Sequence, residues 1–279
     1  MKHFLLKNRL QFLVCNILSL VLLAACSSQE EVAVDSTSRM IFTSVSFDDA
    51  TRSLVDDVLL LDGQELGTFL VDAGGADYDA GGYANLQVSA DAVNASIVLT
   101  PAKDVSLTAT SGTLYAYYPH SDAVSDITSV PVTSGFTDYL WATPVTGLDN
   151  QHTSAAISLH HALAAVCVGV IRGSYTGNGL IESVTLSSGA FATSGTLDAT
   201  SGAVTPGSGT QPLVASLSGT LSTTPVTADF AVVPSGDADA LTFRVRVDGQ
   251  DFTVTSDAVT LSAGSSYNYT LTLDEIVNN

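Results

Sequence analysis

Positive charge is what this sequence has least of. Nine Lys and Arg stand against 28 Asp and Glu, a formal net charge of −19 over 279 residues. Phosphate neutralisation needs clustered basic side chains, so nucleic acid is excluded as a partner. An anionic membrane surface is excluded as an electrostatic partner on the same ground. Cysteine is nearly as scarce, with only Cys15, Cys26 and Cys167. The familiar catalytic signatures are missing as well. There is no G-x-S-x-G, no H-E-x-x-H, no C-x-x-C and no glycine-rich phosphate loop. Neither an enzyme nor a cofactor is therefore expected. Apolar residues are not lacking: at 46% of the chain they rule out a disordered protein. They come as short β-branched runs punctuated by Gly, Ser and Asp, which points to an all-β fold.

The N-terminus reads as an address. Lys2, Lys7 and Arg9 precede an apolar stretch from Leu10 to Ala25, and Leu23-Ala24-Ala25-Cys26 closes it with small residues before a cysteine. This is the pattern of a secretory signal ending in a lipobox. Gln11, Asn16 and Ser19 interrupt the stretch, which is at the short limit for spanning a membrane. Residues 1–25 are thus expected to be a lipoprotein signal peptide, with Cys26 carrying the lipid and residues 26–39 forming a polar tether. Two or more acyl chains anchor stably, at about 0.8 kcal/mol per buried CH₂. Three basic residues leave with the signal, so six remain against 28 acidic ones, a net of −22. Only Cys167 is then left as a thiol, which excludes an intramolecular disulfide. Its place in the apolar run Ala162–Ile171 predicts a buried, inert thiol.

Met40 to Phe47 alternates, and the alternation places Ile41, Thr43, Val45 and Phe47 on one face of a strand. The acidic turn Asp48-Asp49-Ala50-Thr51 and Arg52 follow. Leu54–Leu61 reads as a strand, Asp62-Gly63 as a turn, and Leu66–Val71 as the next strand. Asp72 to Gly82 is a loop rich in Gly and Asp. Ser96–Thr100 and Leu114–Tyr118 are further strands, the second ended by Pro119. Ile157–Ile171 is long and apolar, and its pattern admits either strand or helix. From Ser183 onward, short strands recur at Ser183–Leu186, Thr227–Val233, Leu241–Val247, Phe252–Thr255 and Tyr267–Leu273. Ser188-Gly189, Ser201-Gly202 and Asp248-Gly249 supply turns between them. This rhythm predicts β-sandwiches, two for a chain of this length, spanning residues 40–155 and 156–279.

Candidate chemistry is thin. His160 and His161 are adjacent and would point to opposite faces of a strand, one buried and one exposed, a poor geometry for a shared metal. Asp72, Asp77 and Asp79 lack the spacing of a calcium loop, and no metal site is expected. Tyr78, Tyr83, Tyr139 and Trp141 are candidates for stacking on sugar rings if exposed.

The two ends of the mature chain carry more information. Tyr267, Tyr269, Leu271 and Leu273 alternate with polar residues in a half-buried strand, followed by six residues. Such a strand can pair within its own sheet or with an open edge of another subunit. At the other end, a trypsin-like cut after Arg52 would sever residues 40–52, and with them the strand Ile41–Phe47. Its loss would leave unpaired backbone groups and an apolar slot.

These pieces together resemble a family, the fimbrillins or type V pilins of Bacteroidales. The resemblance rests on the lipobox Leu23-Ala24-Ala25-Cys26, on Ile41–Phe47 with Ala50-Thr51-Arg52, and on Gly63-Gln64-Glu65-Leu66-Gly67-Thr68-Phe69. It continues through Leu114-Tyr115-Ala116-Tyr117-Tyr118-Pro119, Thr137-Asp138-Tyr139-Leu140-Trp141-Ala142 and Ile157-Ser158-Leu159-His160-His161-Ala162-Leu163-Ala164. It ends at Ala263-Gly264-Ser265-Ser266-Tyr267. It implies two transthyretin-like β-sandwich domains and a surface-exposed outer-membrane lipoprotein of a fimbrium, anchored through Cys26. Glu30-Glu31 in the tether looks like a surface-export signal of Bacteroidales lipoproteins. The resemblance also implies an arginine-specific protease acting at Arg52–Ser53, with Arg39 as a rival site. Ile41, Thr43, Val45 and Phe47 would belong to the strand removed. Tyr267, Tyr269, Leu271 and Leu273 would form a donor strand for another pilin subunit. The six residues after Leu273 are short for a groove through two domains, which leaves shaft, tip and anchor roles open. A host or bacterial surface ligand would suit a tip adhesin. The alternative is a surface lipoprotein that binds glycan or protein without polymerising.

Overall fold

The computed structural model describes residues 36–47, 61–93 and 96–274. The signal peptide, most of the tether, Cys26, Arg52, Ser53 and all of the Leu54–Leu61 segment but its last residue lie outside these. The described residues from Thr37 onward belong to one compact unit. No helix among the described residues is long and apolar enough to cross a membrane.

Strand follows strand, as the β-branched composition requires. The first half holds β1 (Ser38–Arg39), β2 (Ile41–Phe47), β3 (Gln64–Asp72), β4 (Leu86–Val93), β5 (Ser96–Pro101), β6 (Ser106–Leu107) and β7 (Gly112–Tyr118). Next come β8 (Val130–Thr133), β9 (Leu140–Ala142), β10 (Val145–Leu148), β11 (Ser154–His161) and β12 (Ala164–Ile171). Then follow β13 (Leu180–Ser187), β14 (Phe191–Ala192), β15 (Ser194–Asp198), β16 (Ala203–Pro206) and β17 (Leu213–Thr220). The chain ends in β18 (Val226–Pro234), β19 (Ala238–Val247), β20 (Gln250–Thr260) and β21 (Ser266–Thr272).

The largest sheet runs β2-β11-β9-β7-β3-β4-β5, with β10 added beside β7. One of its faces closes on a core of Leu66, Leu70, Leu114, Leu140, Ile157 and Leu159. The other face carries Phe69 and Tyr117 against Val130, Val132 and Leu197. The last three come from the small sheet β16-β15-β8. β3 is therefore covered on both sides, and its buried stretch runs unbroken from Leu66 to Leu70. Two four-stranded sheets, β14-β18-β12-β21 and β17-β13-β19-β20, share the remaining core. There Val166, Val168 and Val170 meet Val184, Phe230, Phe243 and Val245. A fully buried Val or Phe contributes about 1.5–3 kcal/mol, so this apolar layer replaces the missing disulfides.

Ile157–Ile171 is not a helix. It is β11 and β12, joined by Ala162-Leu163, where the chain passes from the first sheet to the second. The 155/156 divide expected from the sequence falls inside β11. Cys167 is half-buried rather than buried, because it lies on the face of β12 opposite the valines.

Asp248-Gly249 makes a two-residue hairpin between β19 and β20, with φ of 49° and 73°, the left-handed pair a type I′ turn requires. The Asp248 carboxylate accepts bonds from Gly179 N (2.8 Å), Leu180 N (3.0 Å) and the Tyr175 hydroxyl (2.8 Å). The Gly179 bond is the main reason its pKa lies below the usual carboxylate range. Gly189 N does the same for Asp239. A carboxylate with a depressed folded pKa contributes stability that is present above its unfolded pKa, about 3.9. That stability is lost as pH falls through the folded value. The melting temperature should therefore drop on acidification below about pH 4, and less so in Asp248→Asn, as read by thermal melts across a pH series.

Candidate functional site

The terminal strands β2 and β21 are both edge strands, and both run parallel to their neighbours. β2 pairs with β11 from Ser154↔Ile41 to Leu159↔Phe47. β21 pairs with β12 from Ala165↔Ser266 to Ile171↔Thr272. Their partners are consecutive strands, so β2 and β21 dock along one segment, Ser154–Ile171.

The odd-numbered backbone groups of this stretch hold both. Thr153 O accepts from Ile41 N at 2.9 Å, and Ala155 O accepts from the Thr43 hydroxyl at 3.3 Å. Leu163 O accepts from Gly264 N at 3.0 Å, Ala165 N donates to Ser265 O at 2.8 Å, and Ile171 O accepts from Leu273 N at 3.0 Å. The even-numbered groups turn the other way: Ser158 O accepts from Thr143 N at 2.9 Å, and Ala162 N donates to Tyr139 O at 2.8 Å. Alternate residues of an extended chain present their bonding groups to the same side. Within β11 and within β12 alike, the odd-numbered groups face the edge strand.

The inward faces differ from expectation at one end only. In β21, Tyr267 and Tyr269 are half-buried and Leu271 is buried, as is Leu273 just beyond the strand, which the alternation predicts. Tyr269 packs on Phe243 at 4.9 Å between ring centroids. In β2, Val45 and Phe47 are half-buried, but Thr43 is exposed and Ile41 is 55% exposed. Phe42 turns inward instead. The cause is a register shift: Ala155 faces Phe42 and Ala156 faces Ser44, which leaves Thr43 as an extra residue, a β-bulge. A cleft of about 250 Å³ lies beside the start of β2, lined by Arg39, Met40, Ile41, Phe42, Leu99 and Pro101.

Below the end of β2 lies a pair that no local sequence pattern brings together. His161 Nδ1 sits 2.7 Å from Asp138 Oδ2, both side chains buried. The Phe47 ring packs 6.2 Å from the His161 ring. Burial, with the Asp138 charge adding to it, pushes the nearby Tyr118 phenol up. His161→Ala would leave a buried carboxylate without its imidazole, which costs about 3–5 kcal/mol. A correspondingly lower melting temperature is expected, while His160→Ala should change it much less. His160 is half-buried, not exposed; it stacks on Trp141 at 4.7 Å and its Nε2 lies 2.8 Å from the Thr143 hydroxyl.

Other candidates are absorbed by structure. Tyr78 is fully buried and Tyr83 is 6% exposed, so neither offers a face to a sugar. The loop carboxylates hold turns: Asp72 accepts from Gly74 N and Ala76 N, Asp77 from Gly82 N and Tyr83 N, and Asp79 from the Thr108 hydroxyl. Among the described residues no three His, Cys, Asp or Glu side chains lie close enough to hold a metal ion.

The described arginines are all engaged. Arg39 pairs with Ser106 in β1 and meets Asp104 at 2.7 Å. Arg172 donates to the carbonyls of Tyr175 and Gly177. Arg244 and Arg246 lie in β19, with Asp251 and Glu182 as partners.

No curated relative matches the sequence. Solved structures that share the fold include three from Bacteroides species. One is a Bacteroides uniformis protein named for cell adhesion, 21% identical, with a TM-score of 0.66 over 87% of this chain and 94% of that one. A Bacteroides ovatus protein of the same name is 16% identical, with a TM-score of 0.63 over 85% and 92%. A third, from Bacteroides fragilis, is 14% identical, with a TM-score of 0.61 over 86% and 94%. The fimbrillin-like family model matches residues 51–279. On that match, the chain belongs to the fimbrillin-like family.

Proposed function

We propose that this protein is a structural subunit or accessory adhesin of a cell-surface pilus, assembled by exchange of its terminal strands. It is exported as a lipoprotein on Cys26, cut by an arginine-specific protease at Arg52–Ser53, and freed of β2. The strand Tyr267–Leu273 of a second subunit then takes the vacated edge of β11. We read the folded part as two β-sandwich domains that meet at Ala162-Leu163.

One observation carries this reading. β2 and β21 are seven-residue edge strands, each parallel to one of two consecutive strands and facing the odd-numbered backbone groups of its partner. A strand of the β21 kind therefore arrives at β11 with the direction, length and alternation that the site accepts. Loss of β2 would uncover Ile157 and Leu159, each contributing about 1.5–3 kcal/mol when buried, and would leave the β11 edge open to strand addition. The family match beginning at Thr51 supports the same division of the chain.

A second reading is favoured by the seat of β21 in its own sheet, where Leu271 and Leu273 are 6% and 4% exposed. A chain that keeps this strand is a surface lipoprotein that binds a partner without polymerising.

The test compares two recombinant chains, one beginning at Thr37 and one at Ser53, each mixed with a labelled peptide of residues 264–274. Capture by the Ser53 chain alone, read by fluorescence anisotropy, is the expected result. Equal behaviour of the two chains overturns the proposal.

A further inference from the structure

The bulge in β2 bears on how readily that strand leaves, an inference that rests on the strand-exchange reading above. Over Ile41–Phe47 the sequence allows two arrangements on β11. A regular strand would turn Ile41, Thr43, Val45 and Phe47 inward and leave Phe42 in water. The observed strand keeps Phe42, Val45 and Phe47 inward and accommodates them by leaving Thr43 over between Ala155 and Ala156. Burying the Phe42 ring outweighs burying Ile41 with the Thr43 hydroxyl, and an interrupted ladder is the result. β21 has no such conflict. Its seven pairs on β12 run without a shift, and its inward positions are Tyr267, Tyr269, Leu271 and Leu273.

We infer that the Thr43 bulge makes β2 a deliberately weak occupant of the β11 edge, displaceable by a strictly alternating strand from a second copy of this chain. Thr43 is then the residue that sets the ease of exchange. Four of the seven β2 residues are exposed, and the strand has a backbone partner on one side only, so its hold is the packing of Phe42, Val45 and Phe47 together with the ladder that the bulge interrupts.

Two variants remove the conflict by different routes. Deletion of Thr43 leaves Phe42, Val45 and Phe47 in strict alternation. The double change Phe42→Ser with Thr43→Val keeps the length and makes Ile41, position 43, Val45 and Phe47 the inward set. The experiment is native-state hydrogen exchange on the uncut monomer, read at the amides of Ile41–Phe47 and Ser154–Leu159. Roughly tenfold slower exchange is expected in either variant, the equivalent of about one net backbone hydrogen bond regained. Amides of β21 serve as the internal reference and should not change. Unchanged or faster exchange at both segments, in a variant that keeps its cooperative melt, overturns the inference. If one variant fails to fold, the other decides. Because the measurement needs neither cutting nor assembly, it stands apart from a failure of the strand-exchange reading itself.

Discussion

Arg52→Ala is expected to leave the chain uncut between its first strand and the rest, and to abolish multimers. The physical reason lies in what the other arginines are doing. Proteases cut unpaired, exposed chain, so a site inside a strand is reached only by opening that strand. Arg244 and Arg246 sit in β19, a strand paired on both sides, and Arg172 is tied to two carbonyls. An opening that costs roughly 4 kcal/mol slows cutting roughly a thousandfold. Arg39 is exposed at its head group, but Met40 beside it is buried and bonded to Val105 O at 2.8 Å. A cut there would in any case leave β2 on β11. Loss of Arg52 therefore has no substitute among the described arginines. The variant should accumulate as a lipidated monomer, seen by mass spectrometry of surface protein; unchanged assembly on cells would refute the role given to Arg52.

Leu271→Asp is expected to be as damaging by a different route. Leu271 is 6% exposed and belongs to the core shared with Phe230, Phe243 and Val170. An aspartate there buries a charge in an apolar core, at roughly 4 kcal/mol or more. For a domain of this size that lowers Tm by roughly ten degrees, a large part of the usual margin. Thr270→Asp is the control, because Thr270 is exposed on the same strand and should shift Tm little. The same leucine would face inward on a second subunit. A peptide of residues 264–274 carrying Leu271→Asp should accordingly lose capture by the chain beginning at Ser53. Thermal melts and anisotropy together thus separate the two roles of one side chain.

Much of this was legible in the sequence because the signals were local. The β19–β20 hairpin follows from Asp248-Gly249 between alternating runs, and β21 from its strict alternation. Ile157–Ile171 was ambiguous for a physical reason. It serves two sheets in succession, so it carries two buried faces with Ala162-Leu163 between them, and an unbroken apolar run has no single period. Strands such as Leu213–Thr220 and Ala203–Pro206 carry little strand signal, because the first holds a Gly and two Ser and the second is four residues ending in Pro. Tyr78 and Tyr83 lie in a loop that looks solvent-facing by composition. The loop folds over the first sheet instead, and the Tyr78 hydroxyl reaches Thr110 O at 2.5 Å.

The candidate site divides the same way. Its moving parts, Ile41–Phe47 and Tyr267–Leu273, announce themselves by alternation. Its receiving part does not, because the pairing of Ala155, Ile157 and Leu159 with β2 spans more than a hundred residues. The Thr43 bulge and the His161–Asp138 pair were equally hidden, both being decided by tertiary packing rather than by local pattern.

On the strand-exchange reading, removal of β2 opens an edge which a second copy's C-terminal strand fills. Its most direct test treats the purified chain from Cys26 onward, made without lipid, with a trypsin-like arginine protease. Mass spectrometry locates the cut and native and denaturing gels follow the products. A single cut after Arg52, followed by a ladder of SDS-resistant multimers, is the predicted result. Complete cutting at Arg52 that leaves a stable monomer would contradict it.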